Sequence, residues 1–290
     1  MDKPTITQAM IDAYDEYTHL TLDRRGFMEK LKMLAGSAAA ATAIAPLLSA
    51  NAAVAEVIPE GDDRLDAATI TFPGAPAAIT AYIAMPKGAA KLPAVIVIHE
   101  NRGLNAHIRD VTRRLALEGF LAMAPDLLSP AGGTPSDEDK ARAMISELNG
   151  DITGANLRAA LVFLKEHAHS TGKVGAIGFC WGGGWVNRLA AIAPDLGAGV
   201  AYYGAQVPAD QVPAIKAPLM LHYAGLDDRI NKGIPDYEAA LKANSKDYQL
   251  FLYDGVNHAF NNDTSAARYD KAAADLAWGR TVEFLKAKLG

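Results

Sequence analysis

The chain has 290 residues, half of them hydrophobic, and a formal net charge of −5. This is enough for one large α/β domain with a buried core, or for two small domains. The basic residues are scattered, which argues against a nucleic-acid-binding face. The single cysteine, Cys180, excludes an internal disulfide and a C-x-x-C zinc or redox pair. The seven histidines show no metal-ligand spacing such as H-E-x-x-H, so neither a metal nor another cofactor is expected.

The N-terminal residues 1–55 have the composition of a targeting segment. Arg24 and Arg25 are followed by an uncharged stretch, 33–55, which is rich in alanine and only mildly apolar. This pattern is typical of a twin-arginine export signal. The small-residue cleavage candidates are Ala50-Asn51-Ala52 and Ala53-Val54-Ala55. We therefore expect residues 1–55 to be a leader that engages the twin-arginine export machinery, and the protein to be periplasmic or otherwise exported.

Two other interpretations of this segment stay open. The uncharged stretch is long enough to span a bilayer, although its weak hydrophobicity and Pro46 count against a membrane anchor. Residues 5–20 are unusually long and acidic for the start of a signal. Apolar and aromatic residues recur there at helical spacing, namely Ile6, Met10, Tyr14 and Tyr17. That spacing favours a segment that belongs to the folded protein, which would then be cytoplasmic.

Strand-like and helix-like stretches alternate from residue 56 onward. Residues 67–73 and 77–86 alternate in polarity around Pro73-Gly74 and predict an antiparallel hairpin. The continuous apolar run 92–100 predicts a strand buried on both faces, and Asn105 is expected to cap the helix that follows it. Further strands are expected within 119–126, 173–179, 197–204, 217–225 and 248–255. Further helices are expected at 137–148, 153–169, 181–193, 235–244 and 264–288.

This alternation predicts one α/β domain, 56–290, with a mostly parallel central sheet, helices on both faces and an antiparallel N-terminal hairpin. Functional side chains gather at the carboxyl ends of the strands in such a sheet. Three strand ends carry the residue types of a nucleophilic triad: Cys180, Asp227 beside Asp228, and His258. Their chain order of nucleophile, acid and histidine is that of the α/β-hydrolase fold.

The glycines around Cys180 support a role for this residue in chemistry. Residues 178–182 read Gly-Phe-Cys-Trp-Gly, a G-x-C-x-G version of the G-x-S-x-G nucleophile elbow. Strand and helix backbones pass close together at such a turn, so the positions two before and two after the nucleophile must be very small. A cysteine buried only as a small hydrophobe, the usual environment of a free thiol, does not need Gly178 and Gly182.

These stretches resemble the dienelactone hydrolase family, α/β-hydrolases that use cysteine rather than serine. The resemblance runs from about residue 65 to the end of the chain. It rests on VIVIHENRGLN, GFLAMAPDLL, KVGAIGFCWGGG, LMLHYAGLDDRI and GVNHAF. It implies a hydrolase that acts on carboxylic esters or lactones of small molecules through an acyl-thioester intermediate.

The resemblance also implies a role for individual residues. These are Cys180 as nucleophile, His258 as base, Asp227 as the acid that orients it, Glu100 as the glutamate that contacts the resting thiol, and the backbone N–H groups of Trp181 and Asn101 as the oxyanion hole. The residue types fit, because a histidine held by a carboxylate can take the thiol proton. A carboxylate beside a thiol disfavours the thiolate. Glu100 is therefore expected to keep Cys180 protonated at rest, unless it pairs with Arg102 or Arg109.

One departure from the family concerns the substrate. Members that act on dienelactone hold its carboxylate with arginines, one of them shortly after the histidine. Here residues 259–262 read Ala-Phe-Asn-Asn, and the next basic residue is Arg268. Arg102 is the candidate for a substrate-binding cation, or else the partner of a carboxylate, and Phe260 is a further substrate-binding candidate. The competing function is a thiol-based redox or electrophile-scavenging protein, since accessible thiols of low pKa oxidise readily.

Overall fold

The computed structural model describes residues 5–49 and 56–290. The cleavage candidates within 50–55 lie outside the described residues. An eight-stranded sheet organises the main domain, residues 56–290. Its strands are β1 Leu65–Phe72, β2 Ile79–Pro86, β3 Leu92–Ile98, β4 Leu121–Pro125, β5 Ser170–Phe179, β6 Ala198–Tyr202, β7 Leu219–Ala224 and β8 Tyr248–Tyr253.

The strands are ordered β1-β2-β4-β3-β5-β6-β7-β8 across the sheet. β1 and β2 form an antiparallel hairpin in which Leu65 faces Pro86 and Phe72 faces Ile79, and β2 is also antiparallel to β4. The other neighbouring strands run parallel. The predicted sheet with its antiparallel N-terminal hairpin is therefore confirmed.

Ten helices accompany the sheet in the described residues. They are α1 Gln8–Thr18, α2 Arg24–Ala35, α3 Ala38–Leu48, α4 Ala106–Leu117, α5 Glu138–Ser146, α6 Gly150–Glu166, α7 Trp181–Ile192, α8 Asp228–Asn231, α9 Ile234–Ala243 and α10 Lys271–Leu289. Asn105 caps α4 as predicted, because its side chain accepts a hydrogen bond from the N–H of Ile108 at 3.1 Å. The helix expected over 264–288 begins only at Lys271, where Asp270 caps it through the N–H of Ala273.

Apolar side chains cover both faces of the sheet. On β3, Ile96 and Ile98 pack into one cluster with residues of α6 and α7. Val95 and Val97 point to the other face and pack with residues of α4 and α10. The apolar run of β3 is continuous because successive side chains of a strand face opposite sides and here both sides are buried.

Residues 5–49, the N-terminal segment, form three helices with an apolar cluster of their own. α2 is capped at both ends. The side chain of Asp23 accepts a hydrogen bond from the N–H of Gly26, and Gly36 ends the helix in the left-handed region at φ 78°. The buried members of the cluster are Met10, Ile11, Ala13, Tyr14, Phe27, Leu31, Ala41, Ile44 and Leu48. The helical spacing noted within residues 5–20 is thus confirmed as α1.

The described helices, taken singly, differ from membrane-spanning helices in length or composition. None of them is by itself long and apolar enough to cross a bilayer. The pair α2 and α3 meets the length and composition requirements jointly, but the two helices are bent by 113° at the break between them.

α1 lies across the edge of the sheet where the strands end. The side-chain amide of Asn101 donates to the carbonyl of Thr18 at 2.7 Å, and Arg102 donates to the hydroxyl of Tyr14 at 3.2 Å. The guanidinium of Arg268 lies over the ring of Tyr14, 5.1 Å from its centre. These contacts place the end of α1 directly over the strand ends that carry the predicted triad.

Candidate active site

Cys180 sits on a sharp turn between β5 and α7. Its φ of 55° lies in the left-handed region, which a residue with a side chain rarely adopts. A Cβ on Gly178 would come within 2.2 Å of the carbonyl oxygen of Gly182, and a Cβ on Gly182 within 2.3 Å of that of Ile98. Both glycines are therefore dictated by the close approach of strand and helix, as expected of a nucleophile elbow.

Asp227 and His258 meet beside this turn. Asp227 follows β7 and His258 follows β8, and both side chains are buried. Oδ2 of Asp227 lies 2.5 Å from Nδ1 of His258, while its Oδ1 accepts from the N–H of Ile230. A ring nitrogen of His258 lies within 4.8 Å of Sγ of Cys180, and its Nε2 has no hydrogen-bond partner among the described residues. The three residues thus converge as a nucleophile, a base and an orienting acid would.

The electrostatics of this group favour a thiolate–imidazolium pair. Burial alone would raise the pKa of Cys180, but the charges of His258 and His19 outweigh it and lower that pKa to about 6. Burial alone would lower the pKa of His258, but the charges of Asp227 and Cys180 raise it to about 10. Between these values the sulfur is deprotonated and His258 is protonated.

His19, which sequence reasoning did not single out, is in direct contact with the sulfur. It follows α1, and its Nε2 lies 3.4 Å from Sγ of Cys180. Its ring stands perpendicular to that of His258, with 4.8 Å between the centres. Nothing near His19 in the sequence forms a catalytic motif, and only the helical spacing within residues 5–20 pointed to a folded element there.

Two imidazoles and the sulfur of Cys180 come together at this point. One ring nitrogen of His19, one of His258 and Sγ of Cys180 lie within 4.8 Å of one another. Only His19 in this group could not be predicted, because it lies 161 residues from Cys180 in the chain and in no catalytic motif.

The predicted oxyanion-hole donors flank the sulfur. Trp181 is the first residue of α7, so its N–H is one of those that a helix leaves unbonded, and Asn101 lies in the turn after β3. In the described part of the chain, neither N–H donates a hydrogen bond to a carbonyl group in a turn, loop or helix cap, and neither donates to a side chain. Both residues line one cavity with Cys180, where two such donors could stabilise an oxyanion.

Glu100 is buried at the end of β3, close to the sulfur but not bonded to it. Its Oε2 accepts a hydrogen bond from Nδ2 of Asn262 at 2.9 Å. It lines a cavity of about 10 Å³ together with Cys180 and His258. That Glu100 keeps the resting thiol protonated stays a prediction, and the two histidines beside the sulfur act in the opposite direction, since their charges lower the pKa of Cys180 to about 6.

The two residues expected to bind substrate, Arg102 and Phe260, lie outside the wall of the large cavity beside Cys180. Nε of Arg102 is 3.4 Å from a carboxylate oxygen of Glu138, so this buried cation already has a partner. Phe260 is fully buried, and its ring packs edge-on against that of Tyr203 at 5.5 Å. Phe260 therefore belongs to the apolar core beneath the site, in the same cluster as Cys180 and Tyr203.

The large cavity has a volume of about 590 Å³ and opens beside Cys180. Trp181 and Trp185 form an aromatic wall, with their ring centres 5.8 Å apart. Arg188 lies over the ring of Trp185 at 4.8 Å and has no ion-pair partner in the described part of the chain. Residues 18–20 of the N-terminal segment form another part of the wall. The cavity suits a small, partly aromatic molecule, and Arg188 could meet an anionic group.

Comparisons with known proteins agree with this geometry. The model of the dienelactone hydrolase family matches residues 79–289. A protein of Escherichia coli O157:H7 named "Putative carboxymethylenebutenolidase" is 33% identical over 254 residues, covering 82% of this chain and 93% of the relative. A protein of the same name from Saccharolobus solfataricus is 34% identical over 245 residues, covering 72% and 94%.

A solved structure is similar over the same region. The crystal structure named "Putative Dienelactone Hydrolase" from Klebsiella pneumoniae subsp. pneumoniae has a TM-score of 0.71 and 30% sequence identity. It covers 77% of this chain and 98% of its own. The predicted α/β-hydrolase fold is therefore confirmed.

Proposed function

Because the chain belongs to the dienelactone hydrolase family, we propose that it hydrolyses carboxylic esters or lactones with Cys180 as nucleophile. Membership makes the chain a carboxymethylenebutenolidase-like hydrolase. The observation that carries the finer proposal is the convergence of His258 and Asp227 on a strained, glycine-flanked cysteine.

The first half of the reaction forms a thioester. Sγ of Cys180 attacks the carbonyl carbon of the substrate, and the carbonyl oxygen takes up negative charge between the N–H groups of Trp181 and Asn101. His258 gives the proton on Nε2 to the alkoxide oxygen as the bond between carbonyl carbon and oxygen breaks. Asp227 holds Nδ1 and stabilises the imidazolium until that transfer.

The second half restores the enzyme. Neutral His258 takes a proton from water, whose oxygen attacks the thioester carbon, and the C–S bond breaks to release the acid. The cavity supports a substrate with an aromatic or unsaturated body packed against Trp181 and Trp185. The unpaired guanidinium of Arg188 supports a negatively charged group at the far end of such a substrate.

Replacing the nucleophile tests the proposal. Cys180→Ala should reduce hydrolysis at least about 10³-fold, because the covalent step is lost while only a small side chain is removed. The assay is a panel of aryl esters and lactones, each with and without a carboxylate. Mass spectrometry of the native enzyme during slow turnover should find an acyl group on Cys180.

Two results would contradict the proposed cysteine mechanism. Activity that survives in purified Cys180→Ala would rule out the cysteine mechanism, and Cys180→Ser provides the matched variant of similar size. A burst of product without any adduct on the only cysteine would rule out the thioester. The redox alternative is not favoured, since Asp227 and the flanking glycines have no purpose in a simple thiol sensor and the sequence has no second cysteine to resolve a sulfenic acid.

A further inference from the structure

The end of α1 brings a second carboxylate–histidine pair to Cys180. Nδ1 of His19 lies 3.3 Å from Oδ2 of Asp15 and 2.8 Å from the Asp15 carbonyl oxygen. Nε2 of His19 lies 3.4 Å from Sγ. The triad pair is arranged similarly, with Nδ1 of His258 on the carboxylate of Asp227 and a ring nitrogen of His258 within 4.8 Å of the sulfur. The sulfur therefore lies between two imidazoles, each held from behind by an aspartate.

The hydrogen bonds of His19 fix where its protons are. The carbonyl oxygen of Asp15 can only accept, so Nδ1 of His19 carries a proton in either charge state. Nε2 then has two possible partners, the sulfur of Cys180 and Nη2 of Arg229, which lies 2.9 Å away. A neutral His19 accepts from Arg229, whereas a protonated His19 donates to a thiolate.

We propose that Asp15 and His19 are a second pair of the active site, through which the N-terminal segment donates a hydrogen bond from Nε2 of His19 to the Cys180 thiolate. This inference rests on the proposed role of Cys180 as nucleophile. His258 keeps the proton-transfer role, and His19 stabilises the charge on the sulfur before attack. Once the sulfur is acylated its charge is gone, so His19 releases the Nε2 proton to solvent and Nε2 accepts a hydrogen bond from Arg229. When deacylation restores the thiolate, His19 takes a proton back from solvent.

The surroundings of His19 favour its charged form despite its burial. The groups that face it are Asp15 on α1, Arg229 on α8, Cys180 and His258 at the strand ends, and, one contact further away, Asp227 and Arg268. Burial lowers the pKa of His19, but the charge of Cys180 and the bond to Asp15 outweigh this and raise it. Arg229 and His258 oppose a positive charge on His19, while the half-buried carboxylate of Asp15 offsets them.

Alkylation of the free enzyme tests the contact without any substrate. Cys180 is the only cysteine, so the rate of carbamidomethylation by iodoacetamide against pH reports its thiolate fraction. The midpoint for the full-length protein should lie near pH 6. In His19→Asn it should rise by about one unit, which slows alkylation about fivefold at the original midpoint and little at high pH. The pH at which kcat/KM rises should move by the same amount.

The control is the same substitution at His167, which follows α6 and packs against Phe163 and His169 rather than the site. His167→Asn should leave the midpoint unchanged. Should His19→Asn fail to fold, His19→Gln supplies a neutral side chain closer in size to imidazole, and the same rise is expected. An unchanged or lower midpoint in a folded His19 variant would overturn the inference.

This outcome is separable from the fate of the proposed function. If Cys180→Ala loses hydrolysis while the His19 variants keep the native midpoint, the ester hydrolase mechanism stands and the second pair falls. If hydrolysis survives in Cys180→Ala, the mechanism falls, and the alkylation midpoint still decides whether His19 acts on the sulfur.

Discussion

The main domain and the N-terminal segment each bring an aspartate and a histidine to Cys180, but they hold them differently. Asp227 and His258 follow the parallel neighbours β7 and β8, so the sheet itself sets their separation. Asp15 and His19 are four residues apart at the end of α1, so the helix sets their spacing. The position of that helix depends on how the N-terminal segment docks.

The docking surface is largely polar. The apolar cluster of the N-terminal segment is formed within it, and Ala267 is the one hydrophobic residue of the described main domain that packs against it. Hydrogen bonds, ion pairs and cation–π contacts supply the rest, including Arg142 over Tyr17 and the ion pair of Arg268 with Asp15. An element held in this way opens more readily than a buried strand. The triad is thus built into the core, whereas the second pair is attached to it.

The largest effect on stability is expected at Gly182, where the neighbouring backbone leaves no room for a side chain. Gly182→Ala would place a Cβ 2.3 Å from the carbonyl oxygen of Ile98, a backbone atom that cannot move without displacing β3. We expect a loss of more than about 3 kcal/mol in the free energy of unfolding, or no folded protein. Chemical denaturation of the purified variant measures this.

Gly279→Ala is the matched control on α10, where nothing lies within 4 Å of the added Cβ. The free energy of unfolding of this variant should rise by up to about 1 kcal/mol, since alanine is a better helix former than glycine. If both variants were equally stable, the elbow would not be rigid, and the contrast between a built-in and an attached pair would lose its basis.

The next prediction concerns export, because the N-terminal segment could also serve as a targeting signal. We propose that Arg24 and Arg25, both exposed at the start of α2, form a twin-arginine signal. Replacing both by Lys should move most of the protein from the periplasmic to the cytoplasmic fraction, while the conserved charge keeps the contact of residue 24 with Asp139.

Fractionation and the N-terminal sequence of the exported protein decide this. Unchanged fractionation, or an exported protein that still begins at residue 1 or 2, would contradict the leader interpretation. Cleavage after residue 52 or 55 would separate Asp15 and His19 from the enzyme, so the exported form should then show the raised alkylation midpoint expected for His19→Asn.

The grouping of the three proposed triad residues could be predicted because it follows from the order of strands along the chain. Parallel strands end at one edge, so Cys180, Asp227 and His258 had to approach one another once the strands were assigned. His19 could not be found in this way, since its contact with the sulfur depends on the docking of three helices and leaves no local pattern. Phe260 lies in the core rather than in the cavity wall for a related reason: a residue close to His258 in the chain can point into the core as readily as into the cavity.

The smallest expected effect has the opposite sign and comes from the main domain. Glu100 shares a cavity of about 10 Å³ with Cys180, and its carboxylate accepts from Asn262. Glu100→Gln removes a negative charge near the sulfur and keeps the size of the side chain. The thiolate then becomes easier to form, so the alkylation midpoint should fall by less than about one unit.

The small size of this shift has a physical reason. The carboxylate of Glu100 is not bonded to the sulfur, and Asn262 already takes up part of its charge, whereas His19 contacts the sulfur directly. Glu118→Gln, whose carboxylate is paired with Lys286 on the surface, is the matched control and should leave the midpoint unchanged. Superimposed curves for Glu100→Gln and the native protein would mean that Glu100 does not act on the sulfur. A rise would mean that its bond to Asn262 positions the site, and in neither case would Glu100 oppose the effect of His19 on the thiol.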